Sequence, residues 1–530
     1  MGKKRADKRP FWAGDCETDP FKYARVPKPF IWGIWTGAGY HEFNTAAEMV
    51  EFIRDCDVII YFHNGGKFDL HFLLEWINLE EKVTVINGRL VVAHIGKCEL
   101  RDSWNLLPVP LAAINKDDFD YTLLEESERN KPGVMAKIRR YLMSDCINLY
   151  NAVADFEGEY GRHLTLAGAA MAQWEKLSGK AKPSTDREFF QKFSAWYCGG
   201  RVQCFQKGKI DGPIQYKDIN SAYPWAMLTE HPYDPEYITT KRPTEYKATS
   251  FLTVECISNG CLPYKDERGV ITYPDDNETR TFHVVGHELK VGEETGTVRN
   301  VRLLESIDFL GQSDFKTYIL HFWGRRVEFR AQGNDSQVLF AKLLMTNLYG
   351  KFGANPDNYG NFICVPLAEM EAYMTDGYEF DGMIGPHALL RAPLDDWQTK
   401  FINVATAASI TSQVRSKLWR AIVASEDPVY CDTDSLMARV VHIDEGKEIG
   451  EWGDEGTAST VYIAGKKMYL CEGIFSKDGK PKMATKGVRL TPDQIRRAAM
   501  GQTVTAQSEA PTFRLRGAPV FQSRNIKATA

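Results

Sequence analysis

The segment Pro428-Val-Tyr-Cys-Asp-Thr-Asp-Ser-Leu-Met-Ala-Arg-Val-Val441 reads as two apolar strands joined at a polar tip. Aromatic and β-branched residues flank Asp432, Thr433 and Asp434, the pattern of a hairpin. The helical pattern Val404–Ser425 leads directly into it. Well upstream, Lys209–Asn220 is a second strand that delivers a carboxylate, Asp218, near its end. Carboxylates set side by side from separate strands can hold two divalent cations, one lowering the pKa of an attacking hydroxyl and one holding a triphosphate. Between these strands, Ser336–Gly350 carries apolar residues at helical spacing. Lys342, Thr346 and Tyr349 recur on one face of it, so a lysine for phosphate and a tyrosine for a base can project together.

A second acidic set lies nearer the N-terminus. Asp15 and Glu17 are two apart on a predicted strand and face the same side. Asp69 closes His63-Asn-Gly-Gly-Lys-Phe-Asp69, after the apolar run Val58–Phe62. Tyr141 and Asp145 are four apart on a predicted helix, hence on one face. Four carboxylates from three elements suit a pair of hard cations that activates water against a phosphodiester, with Tyr141 orienting the water. Strand-like runs at 11–19, 30–37, 57–64 and 89–96 interleave with helical runs at 46–56 and 137–156, which predicts an α/β domain over residues 1–175. The stretch 176–185 reads as a connector.

Composition excludes several classes. No apolar run is long enough for a membrane span, and no apolar segment follows the basic start Met1–Pro10. Eleven scattered cysteines without a C-x-x-C pair argue against a disulfide framework or a structural zinc site and for a reducing compartment, the cytoplasm. The net charge of −5 does not itself suggest nucleic acid, but from Lys477 onward eleven basic residues stand against three acidic ones. Such a block can follow a phosphate backbone or be a solvated tail.

The motifs carry a resemblance. D-C-E-T (15–18), N-G-G-K-F-D (64–69) and Y-L-M-S-D (141–145) resemble the three exonuclease motifs of proofreading DNA polymerases. D-I-N-S-A-Y-P (218–224), K-L-L-M-T-N-L-Y-G (342–350) and Y-C-D-T-D-S (430–435) resemble the palm and fingers motifs of family B DNA polymerases, in the same order. Y-C-G-G (197–200), T-S-Q-V-R (411–415) and K-K-M-Y (466–469) resemble further motifs of its protein-primed phage branch. E-T-D-P-F-K, Y-G-K-F-G-A-N-P and I-A-G-K-K-M-Y are similar to the tectivirus members.

The resemblance implies an α/β and α+β multidomain chain. A ribonuclease H-like 3′–5′ exonuclease domain (1–175) precedes a right-hand polymerase with two family-specific insertions. These are linker and start of palm (176–229), an insertion contacting the priming protein and duplex (230–330), fingers (331–355), a strand-displacement insertion (356–398), palm (399–470) and thumb (471–530). It implies Mg2+, two ions per site with Mn2+ as substitute, held by Asp15, Glu17, Asp69 and Asp145 and by Asp218 and Asp434, with Asp432 and Tyr141 assisting. Ile219, Tyr223, Lys342, Asn347 and Tyr349 would meet the nucleotide, Tyr223 rejecting a 2′-hydroxyl. Thr18, Asn64, Phe68, Ser103, Tyr197, Gly199, Gly200, Thr411, Arg415, Lys467 and Tyr469 would meet DNA. The implied partners are template and primer DNA, deoxynucleoside triphosphates, a terminal priming protein and a single-strand DNA-binding protein.

The chain departs from the family pattern in places. The second exonuclease motif is one residue longer, and Trp104, Val414 and Thr346-Asn347 replace usual residues. The exonuclease lysine has no clear match, Lys116 and Lys131 being nearest. From the residues alone, a nuclease with a DNA-binding second half, a non-enzymatic strand-binding factor and priming by nucleic acid remain rival readings.

Overall fold

A computed structural model describes the chain except residues 1–7, 23, 79–82, 87, 114–118, 182–184, 356–358, 385–386, 393–401, 477–478, 514–518 and 529–530. The N-terminal sheet is built around Phe11–Thr18, which pairs antiparallel with Pro29–Trp35 and parallel with Ile59–Phe62. Ile59–Phe62 is buried along its whole length, as an apolar run flanked by strands on both sides should be. The helix Val134–Tyr160 covers Phe11–Thr18 and Pro29–Trp35. Its buried residues Ile138, Leu142, Cys146, Leu149, Val153 and Phe156 recur at three- and four-residue intervals, so one stripe faces the sheet.

The expected connector begins inside a helix. Leu166–Ser178 ends only at Gly179, whose left-handed backbone (φ 67°) closes the last turn. A seven-stranded sheet follows, in the order Pro481–Thr485, Met468–Phe475, Trp452–Gly465, Gly208–Ile219, Ser435–Val440, Glu426–Asp432, Val202–Cys204. The hairpin read from the sequence lies within it, and Pro481–Thr485 from the range expected as thumb, with Met468–Phe475 straddling the palm–thumb boundary, extends its far edge. The helix Val404–Ala424 runs almost wholly buried beneath.

Residues 230–330 build their own antiparallel sheet, ordered Tyr237–Lys241, Val298–Phe309, Phe251–Ser258, Thr279–Val285, with the helix Gly286–Glu294. The helices Lys316–Ala331 and Asp335–Phe352 pack together, so the helical hairpin starts upstream of residue 331. The strands Tyr359–Pro366, His387–Arg391 and Glu379–Ile384 join the N-terminal sheet through Val83–Ile86, making it ten-stranded. An element far along the chain thereby covers an edge that would otherwise stand open. One core cluster unites Val153 and Phe156, Leu252 and Phe282, Phe340 and Leu344, and Ile410 and Leu418. No described helix is long and apolar enough to cross a membrane.

Two candidate active sites

At the first site, strand alternation places Asp15 and Glu17 together, and the covering helix brings Asp145 to them. One ligand atom from each lies within 4.8 Å of the others. Gly14 lets this strand lie close to the Phe62 ring, since a Cβ there would stand 2.7 Å from it. Asp69 opens the short 3-10 turn Asp69–Leu73, and the Cys16 thiol donates to it at 3.2 Å. Gly66 passes so close to the Leu90 carbonyl that no side chain fits, which lets the longer second motif close tightly. Burial, then the charges of Asp69, Glu17 and Asp145, drive the Asp15 carboxyl well above the usual carboxylate range. Burial, then Asp145 and Asp69, raise Glu17. Burial raises Asp69, eased by the Cys16 thiol. Carboxylates crowded out of water in this way are relieved by a divalent cation, and an all-oxygen donor set suits a hard one. Tyr141 is hydrogen-bonded to the Tyr121 hydroxyl at 3.0 Å and stacked on Phe119 at 4.1 Å; burial, Tyr121 and Asp145 raise its pKa. The sequence reading missed this backing pair, since nothing in residue spacing marks it.

Around this site, the Asn64 amide oxygen accepts from Arg89 at 2.8 Å, and Arg89 pairs with Asp102 at 2.6 Å. Phe68 lies half-buried among Phe21, Phe72 and Phe513. Thr18 is buried, and its hydroxyl donates to the Asp19 carbonyl. Ser103 is fully buried, bonded to His63 and the Phe62 carbonyl. Lys131 pairs with Glu128, and Lys116 lies outside the described residues.

At the second site, antiparallel pairing sets Ser435 opposite Asp218, and the Ile219 amide donates to the Asp434 carbonyl at 2.7 Å. Asp218, near the end of its strand, thereby neighbours Asp434 in the hairpin turn beside it. Burial, then Asp434, pushes Asp218 up to about 7. Burial, with Asp432 adding, pushes Asp434 up to about 6. Lys342 lowers both, so the helix Asp335–Phe352 carries its lysine to this cluster. Asp432 is held by the Lys467 ammonium at 2.6 and 2.8 Å. Tyr349 stacks on Tyr223, ring centroids 4.0 Å apart. Asn347 turns back onto its own helix, donating to the Leu343 carbonyl. Glu455 and Lys482, paired at 3.1 Å, also act on Asp218 and were not singled out from the sequence, because only sheet register brings them near.

Several residues expected to meet DNA have their side chains inside. Thr411 donates to the Cys198 carbonyl at 2.8 Å. Arg415, 3% exposed, donates to the carbonyls of Cys198 and Gly199 and pairs with buried Glu288 at 2.7 Å. These two brace the Tyr197–Gly200 linker, leaving Gly199 exposed and Tyr197 half-buried. Tyr469 is buried against Tyr216 and Tyr430. The physical reason is shared with Thr18 and Ser103: a buried main-chain carbonyl or hydroxyl needs a partner, and these side chains supply it.

Residues 109–384 match the family described as DNA polymerase type B, organellar and viral. The chain is 34% identical to the DNA-directed DNA polymerase of Enterobacteria phage PRD1 over 98% of both chains. It is 23% identical to the DNA polymerase of Bacillus phage Nf over 83% of both. The fold superposes on Phi29 DNA polymerase complexed with single-stranded DNA with a TM-score of 0.74, at 16% identity, covering 98% of this chain and all of that one. Likeness along the whole length, on top of two acidic sites set by an inner strand under its covering helix and by a hairpin, makes this chain a member of the type B DNA polymerases, organellar and viral, and its activity DNA-directed DNA synthesis.

Proposed function

We propose that the chain copies a linear phage genome from a protein primer, with strand displacement, in the bacterial cytoplasm, and trims its own errors at the first acidic site. The observation that carries this reading is the gathering of buried, mutually repelling carboxylates at two separate places. Mg2+, two ions per site with Mn2+ able to replace it, would neutralise that charge and stabilise the oxygens entering and leaving phosphorus.

The chain's own groups do the rest. At the polymerase site Asp218 and Asp434 hold the ions, and Lys342 binds the triphosphate. Tyr223 and Tyr349, already stacked, flank the sugar and the nascent pair, with Ile219 and Asn347 beside them. Asp432, held by Lys467, assists Asp218 and Asp434, and Lys467, with Tyr469 packed behind it, steadies the primer end. Tyr197, Gly199 and Gly200 form the passage between the sites, braced by Thr411 and Arg415. At the exonuclease site Asp15, Glu17, Asp69 and Asp145 hold the ions, while Tyr141, oriented by Tyr121, positions the water. Phe68, Asn64, Thr18 and Ser103 shape the seat of the frayed 3′ end.

The ranges set out from the sequence serve as the functional domains, with the first running on to the end of the helix Leu166–Ser178, the fingers' helical hairpin beginning at Lys316 and the palm sheet extending to Thr485. The four-stranded insertion at 230–330 meets the terminal protein, and the strands within 356–398 part the duplex. A single-strand DNA-binding protein takes the displaced strand.

The experiment is a pair of variants. Asp434→Asn should abolish extension and leave single-strand trimming intact, and Asp15→Ala with Asp69→Ala should do the reverse. Loss of both activities in either variant rejects separate sites. Transfer of a labelled nucleotide onto a candidate terminal protein tests priming, and its absence with every candidate and template rejects that part.

A further inference from the structure

Arg201 immediately follows the Tyr197–Gly200 linker and is 1% exposed. Among the described residues no carboxylate pairs with it. Its guanidinium instead lies between two rings, 4.0 Å from the centroid of Tyr273 and 4.3 Å from that of Trp419. Its Nε and Nη2 both donate to the Gln203 amide oxygen. A buried cation without a counter-charge is expensive, and two aromatic faces offset much of that cost. These partners come from different places: Gln203 from the edge strand of the polymerase sheet, Tyr273 from the 230–330 insertion and Trp419 from the buried helix, while the Cys431 side chain beside the catalytic turn also meets the guanidinium.

The main chain of the same residue holds the catalytic turn. The Thr433 amide donates to the Arg201 carbonyl at 2.6 Å. Thr433 has a left-handed backbone (φ 62°), a conformation that a β-branched residue adopts only under constraint. Gly200 closes the other side, since a Cβ there would meet the Thr433 side chain at 2.7 Å. Thr433 separates Asp432 from Asp434.

We propose that Arg201 is a positioning residue for polymerisation: its sandwich between Tyr273 and Trp419 pins the edge strand whose carbonyl and Gly200 hold Thr433 in the turn that presents Asp434. It rests on the reading of Asp218 and Asp434 as the polymerase metal ligands. Through Tyr273, the clamp also makes the insertion part of the catalytic turn's support.

The test uses the full chain with Arg201→Met, Arg201→Lys and, as a marker of the site itself, Asp434→Asn. Arg201→Met keeps the bulk and removes the charge. Without added metal, hydrogen exchange at Thr433 and its neighbours should quicken about tenfold. The Mg2+ concentration for half-maximal extension should rise and the rate should fall, roughly 10–100-fold, as for other groups that orient a metal ligand. Trimming of a single-stranded oligonucleotide should be unchanged, which shows that the chain has folded. Arg201→Lys should recover part of the turn's protection. Wild-type exchange at Thr433 together with a wild-type Mg2+ profile in Arg201→Met overturns the proposal. If Arg201→Met also loses trimming, Tyr273→Leu, which removes one face of the sandwich, replaces it, and the same unchanged pair of readouts overturns the proposal. Full extension by Asp434→Asn would instead reject the underlying site reading.

Discussion

Replacing Asp218 with Asn should stabilise the metal-free protein while destroying its synthesis activity. Burial and Asp434 push the Asp218 carboxyl from 3.8 up to about 7. Three units at 1.36 kcal/mol each correspond to roughly 4 kcal/mol of disfavoured ionisation. The folded pKa is raised, so between about pH 4 and pH 7 the folded chain binds more protons than the unfolded one, and this group's contribution falls as pH rises through that window. Asn does not titrate. The advantage of Asp218→Asn over wild type should therefore be small near pH 4.5 and grow to its full size by pH 8. Relaxation and water entry reduce the ideal figure, leaving about 2–4 kcal/mol.

A chain of several domains does not unfold in one step, so a local probe is needed. Hydrogen exchange of peptides covering 209–220 and 429–440, in EDTA, compares variant and wild type at one pH at a time. At pH 8 the variant should exchange at least about thirtyfold more slowly, since 1.4 kcal/mol is a factor of ten. Saturating Mg2+ should restore protection to the wild type and little to the variant. Extension should fall by about 10³-fold or more, the several kcal/mol of charge stabilisation that a properly held ion supplies. Equal exchange of the two proteins at pH 8 in EDTA would refute the reasoning, because Asp218 would then not be ionised at a cost.

At the exonuclease site the carboxyls of Asp15, Glu17 and Asp69 are all raised, so the thermal stabilisation by Mn2+ should be larger at pH 8 than at pH 5.5, and a pH-independent shift would count against a shared carboxylate cluster. Tyr223→Val should relax discrimination against ribonucleotides, measured as the ratio of kcat/KM values, because it removes the ring stacked 4.0 Å from Tyr349; an unchanged ratio removes Tyr223 from that role. Glu288→Ala, which leaves the Arg415 charge buried without its partner, should cost about 3–5 kcal/mol in local opening of the 197–200 linker and slow extension more than trimming; linker exchange at the wild-type rate would contradict the bracing role.

Local chemistry was legible in the residues. Period two on a strand set Asp15 beside Glu17, and four residues on a helix set Tyr141 beside Asp145, because those geometries are properties of the backbone alone. Polar residues between two apolar runs announced the hairpin at Asp432–Asp434 for the same reason, and helical spacing put Lys342 and Tyr349 on one face. Burial of particular side chains was not legible. Thr411, Arg415 and Tyr469 look like surface groups in a motif, and only packing makes them internal braces. Pairing between distant segments was equally hidden. Register places Glu455 and Lys482 near Asp218 and attaches Tyr359–Pro366 to the N-terminal sheet, and the packing of a loop and a helix closes Tyr273 and Trp419 over Arg201. A sequence states which groups are available within a few residues of one another. Which groups lose their water, and against what neighbour, is decided only when strands far apart in the chain meet, since burial belongs to the assembled fold and not to any segment of it.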